Sequence, residues 1–244
     1  MIEQPKSSFE STASPEEQER LKRAVCDFFR NKLVELEALP ARGSPPDHVQ
    51  RLYELCTSSN RPWTGQKEFD LLGLALPLRI RFDQHSGYVA ENRRLDINIA
   101  PLLEARDTHA LRQATQFILQ DVYHETEHIF VPGFPMQYGI DLEGPEQTVE
   151  YLCHPGEIHA FARQYAFRYS QAYPGEPFEL QKMRELTEVL QNERKRRADA
   201  YNYFVAFALP ATQEKYRDVV DLAEVHRSIV AETERHLELL RRNI

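Results

Sequence analysis

Residues 107–128 read DTHALRQATQFILQDVYHETEH. Leu111, Ala114, Ile118 and Val122 recur at intervals of three and four, the period of one helix face. Asp107 stands before them as a good N-cap, because its side chain can accept from an orphan N–H of the first turn. The predicted helix carries its apolar stripe up to His124, so His124-Glu125-Thr126-Glu127-His128 is read in helical register. Gly133 and Pro135 supply the stop, and a loop of about twenty residues is expected after them, longer than most connections and so a candidate functional segment.

Upstream, Leu78, Ile80 and Phe82 alternate with Arg79 and Arg81, and Leu95, Ile97 and Ile99 alternate with Asp96 and Asn98. A two-residue period is that of half-buried strands. Ser86-Gly87 turns the chain between them, and Tyr88–Ala90 can pair back. A mostly antiparallel sheet of about three strands is expected, since one hairpin alone is marginal. Asp96 and Asn98 are expected to face away from the apolar side of their strand.

The remaining sequence reads as helix. Ser14-Pro15-Glu16-Glu17 is a helix start with a capping-box partner at Glu17, followed by Leu21, Val25, Phe28, Phe29, Leu33, Leu36 and Leu39 at helical spacing. After the break at Gly43-Ser44-Pro45-Pro46, a short helix over Asp47–Leu55 is predicted. Further helices are predicted over Pro155–Tyr173, Phe178 to about Leu209, and Thr212 to the end. The fold class expected is α+β and mostly helical. Residues 1–14 read as a disordered lead-in and 15–244 as a single domain, with a helical part over 15–70, a core over 75–170 and a second helical part over 175–244.

Composition narrows the function classes. The hydrophobic share of 41% and charged share of 28% are those of a globular chain of 244 residues. No apolar run approaches the roughly 18 residues of a membrane span, and Met1–Ser14 lacks a signal-peptide core. Cys26, Cys56 and Cys153 are odd in number and without a C-x-x-C pair, which fits a reducing, cytoplasmic compartment. With a net charge of −8 no nucleic-acid partner is expected. The Arg194-Lys195-Arg196-Arg197 run reads as a solvated helix face.

The chemistry concentrates at residues 124–128. Side chains four apart on a helix share a face one turn apart, so His124 and His128 can present imidazole nitrogens to a single ion. Zinc takes such ligands tetrahedrally and keeps one position for water at a catalytic site. Glu125, one step round the helix, stays out of the ligand shell yet close enough to take a proton from that water. This is the HExxH arrangement of zinc hydrolases. A third ligand is still required. No histidine follows at metzincin spacing, because Val131, Pro132 and Phe134 fill that region. A carboxylate from a second helix is the alternative, and Glu157 can supply it from the segment 151–162, YLCHPGEIHAFA. Pro155 places Glu157 near a helix start, with Ile158, Phe161, Ala162 and Tyr165 anchoring that helix. A glutamate there is equally well explained by capping and the helix dipole with no metal.

The pairing of HETEH with YLCHPGEIHAFA resembles the HExxH…E metallopeptidases of the minimal gluzincin type, closest to those of phages and prophages. Tyr151, Leu152, Pro155, Glu157, Ile158, Ala160 and Ala162 match that family's second signature, and the likeness covers roughly residues 88 to 170. It implies a zincin-like fold with an active-site helix, Zn2+ bound by His124, His128 and Glu157, and Glu125 as catalytic base. It also implies that the Leu95–Ile99 strand is the sheet edge over the cleft. Thr126 and Glu127 depart from the pattern, where the residue after His-Glu is more often aliphatic.

Asp121, one turn before His124, can orient an imidazole from outside the ligand shell; His154 and His159 flank Glu157 and can do the same or steady an oxyanion. Each also reads as an ordinary helix residue. Tyr138 and Tyr151 read as packing residues and Cys153 as a small filler. Two functions follow from these expectations. One is zinc-dependent hydrolysis of a peptide or protein substrate, which could pair with an exposed sheet edge. The other is a zincin scaffold without proteolysis that serves as an interaction module. A carboxylate-bridged di-iron protein is discounted, since Glu125 and His128 form the only E-x-x-H.

Overall fold

The computed structural model describes residues 14–38, 45–57, 67–70, 77–81, 86–89, 94–131, 145–193 and 203–242. Residues 1–13, 132–144 and the basic run 194–197 lie outside them, and with them Tyr138 and the Gly133 and Pro135 stop signals. The described residues are mostly helical with one small sheet, an α+β composition. They form two compact units, residues 1–130 and 131–244. Among the described residues no helix is long and apolar enough to cross a membrane.

In the first unit α1 (Pro15–Ala38) starts at the expected capping box. The Ser14 N–H donates to Glu17 Oε2 at 2.8 Å and the Glu17 N–H donates to Ser14 Oγ at 3.2 Å, so two orphan donors of the first turn are satisfied reciprocally. Val25, Phe29, Leu33 and Leu36 form the buried stripe of α1, against which α2 (Pro45–Thr57) and the long α3 (Thr108–Glu127) pack. The Asp107 side chain caps α3 by accepting from the Ala110 N–H at 2.8 Å, as its sequence position requires. The helix ends at Glu127, with His128–Phe130 in a turn. Pro132, which has no N–H to give the carbonyl four residues back, forbids continuation.

The sheet differs from expectation. It has four strands, β1 (Lys67–Asp70), β2 (Pro77–Arg81), β3 (Gly87–Val89) and β4 (Arg94–Asn98), in the order β1-β2-β4-β3. β1 runs antiparallel to β2 and β3 antiparallel to β4, but β2 and β4 are parallel. Their register sets Leu78 opposite Leu95 and Ile80 opposite Ile97, so the two apolar alternations coincide. β4 is therefore an interior strand and not the edge. Asp96 does not face solvent either: it is fully buried, and Asn98 nearly so. Every residue of β4 after Arg94 is buried, so this strand, with α3 packed on it, has no wet side. The polar residues are satisfied locally instead. Arg94 grips Asp96 through Nε at 2.7 Å and Nη2 at 3.3 Å, and Asn98 Oδ1 accepts from the Ala100 N–H at 2.9 Å, opening a 3-10 turn over Ala100–Glu104.

The second unit is helical: α4 (Pro145–Cys153), α5 (Pro155–Ala172), α6 (Leu180–Glu193), α7 (Pro210–Tyr216) and α8 (Leu222–Arg241). The expected twenty-residue loop is shortened by α4, whose Pro145 stands at the first helical position. α5 keeps the predicted span. It ends at a turn in which Glu176 N–H donates to the Tyr173 carbonyl at 3.2 Å, with Pro174 second and Gly175 third at φ 77°, the residue choice a type II turn demands. The helix predicted to reach Leu209 does not, since residues 203–209 form turns and a short 3-10 segment. The one predicted from Thr212 is divided, because Asp221 starts α8 by accepting from the Ala223 and Glu224 N–H groups. α5 and α8 pack along each other, and Ala162 and Ala166 of α5 are fully buried. Around them gather Met183, Tyr203, Phe204, Phe207 and Ile229, all essentially fully buried.

Candidate metal centre

Residue 128 closes α3 with helical backbone angles, φ −66° and ψ −11°, so its side chain remains one turn above that of His124. The consequence is convergence: His124 Nε2 and His128 Nε2 lie 3.4 Å apart, with ring centroids 5.1 Å apart and planes at 76°. That separation is long for a hydrogen bond between ring nitrogens. It equals the spacing of two nitrogens on one tetrahedral zinc, since Zn–N bonds of about 2.0–2.1 Å put their ends roughly 3.3–3.4 Å apart. His124 is buried and His128 partly so. Glu125 lies in the same turn, half-buried.

This turn is held by polar pairing. Glu127 receives a hydrogen bond from Lys22 Nζ of α1 at 2.6 Å, both side chains being under 10% exposed. Thr126 donates to the Val122 carbonyl at 2.8 Å and meets Cys26 Sγ at 3.6 Å. One turn earlier, the Tyr123 hydroxyl is met by Arg30. The two residues that depart from the gluzincin pattern are thus matched by α1. Asp121 Oδ2 accepts from Ser86 Oγ at 3.0 Å, and Ser86 Oγ itself accepts from the Asn98 N–H at 3.0 Å. This carboxylate ties α3 to the sheet, and through that tie it fixes the rotation of the helix that carries both rings.

Glu157 belongs to the second unit, in the first turn of α5, and is 3% exposed. Pro155 starts that turn. His154 is its N-cap, with Nδ1 accepting from the Gly156 N–H at 3.2 Å. Ile158 and Ala162 sit in the core, and Phe161 and Tyr165 pack against it. His159 turns to α8, where its Nδ1 lies 3.2 Å from Glu232 Oε2. The His159 ring, opposed by burial and helped by Arg235, holds the Glu232 carboxyl down at about 2. Tyr151 is a packing residue against Phe161. Burial pushes the Cys153 thiol up to about 12, so it stays protonated at neutral pH and is neither nucleophile nor ready ligand.

Sequence reasoning missed Lys22, Cys26 and Ser86, which position α3. Lys22 and Cys26 share a stripe with Phe29 and Leu33 at helical spacing, and a lysine in an apolar stripe was the available signal. No family model, curated protein or solved structure matches this chain.

Proposed function

We propose that the protein is a zinc-dependent peptidase of zincin-like type, with His124, His128 and Glu157 as metal ligands and Glu125 as general base. The observation that carries this reading is the 3.4 Å convergence of the two Nε2 atoms on one helical turn. The three residues offer the two-imidazole, one-carboxylate donor set of catalytic zinc, and a buried carboxylate such as Glu157 belongs with a cation or with several donors. The likeness of HETEH and YLCHPGEIHAFA to the gluzincin signatures supports the same assignment. Bound zinc would supply Lewis acidity toward a peptide carbonyl and a lowered pKa for water. Glu125 takes a proton from the attacking water and returns it to the leaving amine nitrogen, the work of a positioned carboxylate. The capped, sheet-tied α3 keeps both rings and that carboxylate in register, so little reorganisation is left for the reaction.

Metal analysis of the purified chain, with a broad peptide panel, tests the proposal. Glu125→Gln should keep zinc while turnover falls by roughly a hundredfold to ten-thousandfold. His124→Ala and Glu157→Ala should both lose metal at this centre, and a chelator should silence the wild type until zinc is restored. A zinc stoichiometry that does not fall below the wild type's in either ligand variant sinks the ligand set. Zinc bound with no cleavage of any peptide instead favours the non-proteolytic interaction module.

A further inference from the structure

Glu232 and His236 stand four residues apart on α8, so both face the same way, and His159 of α5 faces them. One donor atom from each of the three lies within 4.8 Å of the others. His159 Nδ1 and Glu232 Oε2 are already 3.2 Å apart, which is donor spacing on a common ion. Nδ1 is buried and pairs with that carboxylate oxygen without the alignment of a well-directed hydrogen bond. The third observation is a cation already drawn to the place. Arg235 Nη2 sits 2.6 Å from Glu232 Oε2 and 3.2 Å from His236 Nε2, bridging the two. His236 is buried and turns that nitrogen to the guanidinium. The Arg235 side chain is half exposed, and a long flexible cation on the surface can swing out into water.

We propose that His159, Glu232 and His236 are a second metal site, separate from the HETEH centre, which takes zinc or a similar borderline divalent transition cation. Arg235 is its resident counter-cation when metal is scarce. Two imidazoles and one carboxylate select such an ion over calcium or magnesium, which prefer all-oxygen shells. The ligands come from the two most closely packed helices of the unit, so the ion fastens α5 to α8. An ion that binds only the folded form raises the melting temperature with the logarithm of its concentration above Kd.

The test is zinc stoichiometry and melting of the full chain after chelator stripping, with zinc chloride as the probe. His124→Ala isolates the second site from the first. In that background a zinc ion should still bind, and Glu232→Gln or His236→Ala should abolish it. The loss should exceed the roughly tenfold to hundredfold that removal of a mere outer partner costs. Arg235→Gln should tighten binding several-fold, because the competing cation is gone; a site that Arg235 merely completes would not respond this way. Glu232 is partly exposed, so Glu232→Gln should fold even where His236→Ala does not, and circular dichroism checks this. Absence of zinc from the His124→Ala chain overturns the proposal, as does zinc whose affinity is indifferent to Glu232→Gln. If instead the wild-type chain binds a single ion, unaffected by His124→Ala and lost with Glu232→Gln alone, the second site stands and the peptidase centre falls.

Discussion

The two units hold the helices that carry the proposed ligands by different means. In the first, α3 is fixed by polar groups reaching it from distant positions: Lys22 to Glu127, Cys26 to Thr126, Ser86 to Asp121. In the second, α5 is fixed mainly by apolar matter, with Ala162 and Ala166 in the core, Tyr165 edge to face with Tyr203 and Phe204, and Phe161 tilted against Tyr203. Apolar packing is non-directional and tolerates exchange of similar volumes. Buried polar pairs are directional and fail abruptly when one member is lost. The contrast teaches that the helix carrying both imidazoles is the one whose rotation is specified by hydrogen bonds, while the helix carrying Glu157 is specified by volume.

The sharpest break of that contrast is Lys22→Met. It strands the Glu127 carboxylate, and unfolding in urea should show a loss of about 3–5 kcal/mol. The double replacement Lys22→Met with Glu127→Leu should recover most of it, as a dry pair of similar volume often does. If the double variant is as unstable as the single one, polar specification is not what holds α3. Next in size is Met183→Ala in the second unit, where a fully buried side chain becomes a cavity. The expected cost is roughly 2–5 kcal/mol, with Met183→Leu costing less than about 1.5 kcal/mol. Tyr203→Phe isolates one polar tie of that core, the hydroxyl donating to the Leu152 carbonyl at 2.5 Å. It should cost only about 1 kcal/mol by chemical denaturation, against the much larger effect of losing Lys22. The smallest effects belong to the helix starts. Asp221→Ala and Asp107→Ala should each lose about 1 kcal/mol in thermal melts, with Asp221 costing more because it accepts from two N–H groups and Asp107 from one.

Local rules carried much of this architecture. The Ser14–Glu17 capping box, the Asp107 cap, the helical register of residues 111–124 and three of the four strands depend on neighbours within a few positions, and their period is written in the chain. The convergence of His124 and His128 follows from the same register. What lay beyond reading was non-local. The parallel pairing of β2 with β4 depends on which register buries more, and β1 offers only Lys67-Glu68-Phe69-Asp70, with no alternation to announce it. The Lys22–Glu127 bond spans 105 positions. Asp96 looked like a solvent-facing residue because alternation alone cannot tell an edge strand from an interior one whose polar side is satisfied by Arg94. The division near Asp221 was hidden because residues 212–244 hold no glycine or proline, and only the poor helix formers Asp218, Val219 and Val220 before the Asp221 cap mark it.

The buried contact between Lys22 and Glu127 carries a consequence for descent. Neither position can drift alone without stranding a charge, so a neutral path between variants must pass through paired change or through a cation elsewhere. Among homologues these two columns should covary, with base opposite acid or oil opposite oil, while the adjoining surface positions wander freely.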